Sequence, residues 1–456
     1  TSSLRRRSDG VRGIMAFGFD ATLTGFDAAL AVARFHLDPL RCGSRLRRRH
    51  GGAVVIAPPW RARGAGPPVI VLLTAEGARG AFDVWDDLRP TGLWPVRAPR
   101  WTIHERLRFN FLCLAGDAHR HYSRQVADPL RRDVAERSFP RQRALIAREL
   151  AAFGGPAIDL RETTRRIATI CVFDALFGET DAERAMRIGT LLNDYHELNW
   201  SLAAIALPAR IPGAPYARVL RTAEAVHREV GIWMERGAVG GSIRSALAGL
   251  RDPDGGPAAR DFAVASLCTI AWAAFDTPWL ALFWALVALA ARPDLQERLR
   301  AEMRAIGAPG DAPIAALARA PLLNGVIYEA LRLYPPAPYI GLRAVRVTAI
   351  GGAPVPEGAT LFLNIHEIHR DPALYPDPGV FRPERWPPGK APGAHALLSF
   401  SGGARRCPGY AYSMMFLRLA LSEICGRFAL DRAGARAPRR RVAPTLAPIG
   451  PAPCRI

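Results

Sequence analysis

Residues 400–409 read Phe400-Ser-Gly-Gly403-Ala-Arg405-Arg-Cys407-Pro408-Gly409, and a largely apolar segment of helical periodicity, Tyr410 to Phe428, follows. Glycines let a backbone take positive φ and come close to a flat ligand. A loop aimed at a helix N-terminus favours an anion, because unpaired N–H groups and the dipole face it. A cysteine held there is expected as a thiolate able to ligate a metal. Cys407 has no Cys or His companion at zinc spacing, so zinc does not suit it. Haem iron does, since it takes one Cys from the protein and its equatorial ligands from a macrocycle. The plainer alternative is a glycine turn before a buried helix, with an inert Cys.

A second group lies in Phe262 to Ala291, thirty residues with one formal charge, Asp276, followed by Thr277 and Pro278. Adjacent acid and hydroxyl groups can relay protons to a ligand against the helix. Pro278 removes the N–H that would pair with the Ala274 carbonyl and predicts a kink with a polar notch. The alternative is a buried Asp satisfied locally at that kink. Thirty residues of helix span about 45 Å, enough for a membrane. Asp276 near the middle opposes that, at roughly 2.5–3.5 kcal/mol on insertion scales. A helix buried on all sides of a large core is the better reading.

The third group is Glu329 and Arg332, three apart in the helical run Leu322–Leu333, with Phe381-Arg-Pro-Glu-Arg385-Trp386 some fifty residues later. Residues three apart share a helix face, and Arg385 could complete a buried bidentate network. A surface ion pair is the ordinary alternative.

Together, in this order, the three groups resemble the cytochrome P-450 family of haem-thiolate monooxygenases over nearly the whole chain. The cysteine loop fits the family pattern F-x-x-G-x-R-x-C-x-G at every specified position, including Phe400, Gly403 and Gly409. The resemblance implies Cys407 as axial ligand of haem b, Arg405 and Arg343 on haem propionates, and Glu329, Arg332 and Arg385 as a structural triad. His119 falls where the family places a propionate-binding Trp or His. The basic residue expected four positions later is Ser123, with Arg124 one further on. The central helix matches the family's acid–alcohol signature, with Ala274 for the usual glycine and Pro278 for the usual second hydroxyl residue. The likeness also places a substrate pocket around Trp94, Trp101, Phe109, Ala273, Thr277, Ala337, Tyr339, Ile340 and Leu446. Arg97, Arg100, Arg106 and Arg108 in the Trp94–Phe111 loop are read as solvated charges, with a carboxylate-binding role as the alternative.

The elements that must position these groups form a mainly α chain with a smaller β-rich portion, read as one domain over 1–456. The β-rich part covers about 41–75 and 340–365, and the helical part about 117–335 and 409–430. Strands are expected at Ala53–Ala57, Val69–Thr74, Ala344–Ile350 and Thr360–Asn364. A helix is expected over Ala75–Leu88, with breaks near Pro140, Gly154–Pro156, Pro208–Pro215 and Asp252–Pro257. Pro208–Pro215 reads as a lid hinge.

The net charge is +20, from 61 basic and 41 acidic residues, nearly all the former arginine. The basic clusters are short and scattered without a nucleic-acid motif, so nucleic acid is not expected. Seven dispersed cysteines without a CxxC argue for a reducing compartment. Thr1 to Ile14 lacks a signal-peptide apolar core, and the expectation is a cytoplasmic monomer without a membrane anchor. The resemblance implies activation of O2 to oxidise a hydrophobic small molecule, as in bacterial secondary metabolism. Electrons would come from NAD(P)H through an acidic ferredoxin-type donor docking near Arg405, Arg406 and Arg418. The alternatives are an atypical haem-thiolate enzyme, such as a peroxide user, ring-forming oxidase or isomerase, and a non-catalytic haem-binding protein.

Overall fold

A computed structural model describes residues 19–57, 67–91, 95–151, 157–236, 240–307, 309–390, 392–393, 396–432, 438–442 and 444–456. The N-terminal part forms helices α1 (Gly25–Leu37) and α2 (Pro39–His50) against a sheet. That sheet holds β1 (Ala21–Leu23), β2 (Ala53–Ile56), β3 (Val69–Leu72), β4 (Leu88–Pro90), β5 (Tyr339–Ala344) and β6 (Thr360–Asn364) in the order β1-β2-β3-β6-β5-β4. Alternation decides its two faces. Ile70, Leu72, Leu342, Leu361 and Leu363 point into one apolar cluster with α3 (Ala75–Asp83). Val69, Val71, Arg89, Tyr339, Arg343 and Phe362 point to the opposite side. The expected helix to Leu88 stops at Asp83, because 85–87 tighten into a 3-10 turn and Leu88 joins the sheet. The expected strand Ala344–Ile350 is split: Ala344 ends β5 and a separate hairpin starts at Thr348.

The helical part contains α4 (Ile103–Leu107), α5 (Gly116–Gln125), α6 (Arg132–Ala151), α7 (Leu160–Phe177), α8 (Ala182–Asn199) and α9 (Pro215–Glu235). It continues with α10 (Arg260–Ala290), α11 (Pro321–Leu333) and α12 (Tyr410–Arg427). Helix α10 is the axis of the larger core and packs on α7, α8, α9, α11 and α12. Its apolar residues point in every direction, and Leu280, Leu282, Phe283 and Leu286 have no exposure. It is long and apolar enough to cross a membrane, yet protein surrounds it, so in this fold it is a core helix. The helix runs through Pro278 as α6 runs through Pro140. Packing on several neighbours overrides the break expected at Pro140, where local sequence alone predicts a stop. The expected break at Asp252–Pro257 is present as a turn closed by the Arg251–Pro257 bridge, whereas 154–156 lie outside the described residues.

Candidate active site

Cys407 sits in the loop that delivers the chain into the N-terminus of α12. Its N–H donates to the Phe400 carbonyl at 2.8 Å, which closes the loop. Phe400 packs edge-on against Tyr410, ring centroids 4.8 Å apart, at the start of that helix. Gly403 takes φ +57°, and a side chain on the preceding Gly402 would press on the Phe82 ring at 3.0 Å. The loop therefore lies flat on α3. Burial pushes the Cys407 thiol up, while the Gly409 N–H and the Arg406 charge pull it down. With burial dominant, the thiolate form needs a cation at the sulfur, which a metal ion supplies. Among the described residues no group of three or more His, Cys, Asp or Glu could hold a metal. An ion bound to Cys407 must bring its remaining ligands with it, and an iron macrocycle does so. The residues fit haem.

The loop is anchored from behind by a buried network. Glu329 and Arg332 on α11 are wholly buried. The Arg332 Nε and Nη2 donate to the two Glu329 oxygens at 2.9 and 2.8 Å. Arg385 Nε donates to Glu329 at 2.9 Å, Trp386 Nε1 at 3.0 Å and the Arg382 N–H at 2.9 Å. The expected triad is thus present, with Trp386 as a donor that sequence reading did not single out. Arg332 Nη1 also donates to the His369 and Pro378 carbonyls, each at 2.8 Å. His369 carries the network to the cysteine loop: Nδ1–H donates to the Arg332 carbonyl at 3.1 Å, and Nε2 accepts the Leu398 N–H at 2.8 Å. Ser399 adds a bond to the Leu331 carbonyl at 2.7 Å. Burial pushes the His369 imidazole down to about 3, so it is neutral, as its two roles require. No sequence spacing advertises His369, because its partners lie 37 and 29 residues away.

The acid–hydroxyl pair on α10 is divided between two directions. Thr277 Oγ1 donates to the Ala273 carbonyl at 2.9 Å, so Ala273 takes part through its backbone. Asp276 is buried, and both its oxygens are engaged, one by Trp279 Nε1 at 3.0 Å and one by Thr445 Oγ1 at 2.6 Å. Consecutive helical residues are about 100° apart, which turns Asp276 to the chain's C-terminal turn while Thr277 faces its own groove. Burial pushes the Asp276 carboxyl up, against the lowering effect of Thr445 and Trp279. Pro278 supplies no N–H to the Ala274 carbonyl.

The residues assigned to propionates gather around 111–119. Arg405 donates to the Leu112 carbonyl at 3.3 Å and to the Leu114 carbonyl, and burial pushes its guanidinium down to about 10. His119 on α5 is close enough to feel Arg405; burial and that charge push it down to about 4. Ser123 Oγ lies 3.0 Å from His119 Nε2. Arg124 does not join them: it is exposed and donates to the Arg120 carbonyl of its own helix at 3.2 Å. Positions 119 and 123 share a face, whereas 124 is turned away by roughly 100° more. Arg343 projects from β5 on the face opposite the sheet's apolar cluster, directly across from Arg89 in the register.

The expected pocket is only partly brought together. Phe109 and Tyr339 line a cavity of about 720 Å3 beside the sheet. The Tyr339 hydroxyl donates to the Pro39 carbonyl at 2.6 Å. Ile340 faces the sheet's apolar cluster instead, because strand residues alternate. Trp101 is two-thirds exposed and lies under the Arg210 guanidinium, 4.4 Å from its ring centre. Leu446 is wholly buried, and its carbonyl accepts from Trp284 Nε1 at 2.9 Å. Ala337 is half-buried, and Trp94 lies outside the described residues. Of the loop arginines, Arg106 pairs with Asp261 at 3.1 Å on the surface, while Arg97 and Arg108 line the cavity.

Residues 256–448 match the sequence profile of the family described as cytochrome P450. The chain is 39% identical over 169 residues to cytochrome P450 4A11 of Homo sapiens, covering 36% of this chain and 32% of that one. It is 35% identical over 178 residues to taurochenodeoxycholic 6 alpha-hydroxylase of Sus scrofa, covering 38% and 35%. The fold matches the retinoic acid-bound cyanobacterial CYP120A1 with a TM-score of 0.78 at 19% identity, over 92% of this chain and 95% of that one. Residues 256–448 are thus similar to the cytochrome P450 family, and the fold of the chain is like that of solved P450 structures. CYP175A1 of a Thermus strain shares the P450 fold as well, with a TM-score of 0.74 at 21% identity over 95% and 99%. The chain spans about a third of the length of the curated P450 relatives it matches.

Proposed function

We propose that the protein is a haem-thiolate monooxygenase that oxidises a hydrophobic small molecule with electrons from an external donor. The observation that carries this reading is Cys407 at the N-terminus of α12, in a loop anchored by the buried Glu329 network, with α10 packed on α12. When bound, haem supplies the oxygen chemistry, and the protein contributes position and electrostatics. Cys407 would hold the iron, and the Gly409 N–H would temper the charge on sulfur. Thr277 donates to Ala273, which leaves the lone pairs of Oγ1 able to hold a proton in transit. Asp276 is a positioning residue that ties α10 to Thr445. The names of two relatives, one retinoic acid-bound and one acting on taurochenodeoxycholic acid, both denote compounds with large hydrocarbon skeletons. That supports an apolar substrate.

For the electron donor we infer an acidic iron–sulfur protein. Of the three arginines expected to dock it, Arg405 is engaged by backbone carbonyls and Arg418 by Asn324 at 2.8 Å. Arg406 is exposed, over the Tyr410 ring, and Arg132 lies in the same electrostatic neighbourhood. The test is turnover of haem-loaded protein with NADH, ferredoxin and reductase against hydrogen peroxide alone. Thr277→Ala is expected to lower product per electron pair about tenfold or more. Efficient turnover with peroxide alone, together with a harmless Thr277→Ala, would instead favour the peroxygenase alternative that Pro278 motivates.

A further inference from the structure

Helix α10 is buried almost throughout, and its half-buried residues within 262–290 are Ile270, Ala273, Ala274 and Thr277. Steps of three and four put them on one helix face, which borders open space beside Thr277. Trp272 stands roughly 100° round from Ala273, on the flank turned to α8, and is 6% exposed. Its ring lies flat on His196 of α8, with centroids 3.4 Å apart and planes 6° from parallel. Burial holds His196 neutral. The two rings clamp each other, so the indole is not free to turn toward a partner.

An indole N–H is a donor only, and Trp272 Nε1 has neither solvent nor an acceptor among the described residues. Other buried tryptophans do better. Trp233, Trp279 and Trp386 each donate to a carboxylate at 3.0 Å, and Trp284 to the Leu446 carbonyl at 2.9 Å. Trp85 shares the lack, but in the apolar cluster of the sheet. Across from Trp272, Asn199 lies three residues beyond His196 and so on the same face of α8. It is wholly buried, and its Nδ2 donates to the Tyr195 carbonyl at 2.9 Å. Its Oδ1 has no donor among the described residues. Native interiors pair nearly all such groups, because a buried polar atom left alone is costly. Here α10 offers a donor and α8 an acceptor, in a helix interface beside the Thr277 face.

We propose that this interface holds the oxygen function of the substrate, a ketone or hydroxyl on an otherwise apolar molecule, which accepts from the Trp272 indole N–H. A hydroxyl there also has a hydrogen to give, and Asn199 Oδ1 takes it. Trp272 is then a specificity-determining residue: an analogue without the oxygen leaves its N–H unpaired and is rejected for that reason. Calling the occupant a substrate rests on the monooxygenase reading; its binding does not.

The test is calorimetric titration of the haem-loaded protein with cyclohexanone and with methylenecyclohexane, which differ by oxygen in place of CH2. Trp272→Phe keeps a flat ring against His196 and removes the N–H. It is expected to lower the ketone-to-alkene affinity ratio about tenfold. Any space left by the smaller ring acts on both probes and cancels in the ratio. Asn199→Leu is expected to weaken cyclohexanol about fivefold or more and to spare cyclohexanone, which has no hydrogen to give. An unchanged ratio in Trp272→Phe would show that a fixed water satisfies the N–H, and would overturn the proposal. So would a failure of cyclohexanone to bind. Equal losses for alcohol and ketone in Asn199→Leu would remove the acceptor from the site. The ratios are read without turnover, so failure of turnover with ferredoxin and reductase would leave them standing, and the two readings can fail separately.

Discussion

Ser401 holds φ +59° in the cysteine loop, one residue after Phe400. A side chain in that left-handed region costs roughly 1–2 kcal/mol. Its N–H donates to the Leu398 carbonyl at 2.8 Å, so the turn is kept in spite of the strain. Replacing Ser401 by glycine removes the strain and adds unfolded-state freedom worth about 0.4–1 kcal/mol. The expected net gain is about 0.5–1 kcal/mol, read as a higher denaturation midpoint at unchanged m-value; a lower midpoint would refute the strain. At the same scale, Asp276 and Thr277 show why adjacency in sequence is not adjacency in space. One turns to Thr445 and the other to Ala273.

At the scale of elements, α11 and the cysteine loop communicate through His369. Its folded-state value of about 3 lies below its ordinary 6.5. A base whose value is depressed on folding gives stability that is full above about 6.5 and is lost as pH falls toward 3, because the unfolded chain binds the proton more readily. His366, pushed down to about 4 mainly by burial, adds the same sign. Thermal stability is therefore expected to fall between pH 6.5 and 4, and His369→Gln to flatten part of that slope. An acid slope identical in the variant would remove His369 from the account. Breaking the Glu329 network by taking one partner would leave buried guanidinium groups unpaired, which costs about 3–5 kcal/mol. The network thus matters more than the surface pairs that Arg132 makes with Glu136.

For the whole molecule, two segments distant in sequence meet at one exposed contact. Trp101 in the 95–111 segment lies under Arg210 of the loop between Ala206 and Pro215. An exposed cation–π contact contributes about 0.5–1 kcal/mol, which makes it a weak latch rather than a fixed joint. Arg210→Ala is expected to speed hydrogen exchange in both segments while leaving the α10 core protected. Faster exchange in only one of them would show that the latch does not couple them. This gives the proline-rich 208–215 stretch, read as a hinge, a defined contact to release.

Cys407 in its glycine loop, Thr277 beside Asp276 and the Glu329–Arg332 pair could be singled out from local spacing: a loop motif, one helical turn, a three-residue step, whereas Arg385 reaches Glu329 across 56 residues. So could the buried character of α10, since thirty nearly uncharged residues leave few other places for such a helix. Four matters needed the fold. The face of each strand residue follows from register, which set Ile340 apart from Tyr339 and brought Arg89 opposite Arg343. Rotation along α5 decided against Arg124. Trp386 and His369 entered the network only through contacts 57 and 37 residues apart. The separation of Arg97 and Arg108 from Arg106 arose because loop arginines have no periodicity, and only packing decides which of them face a cavity.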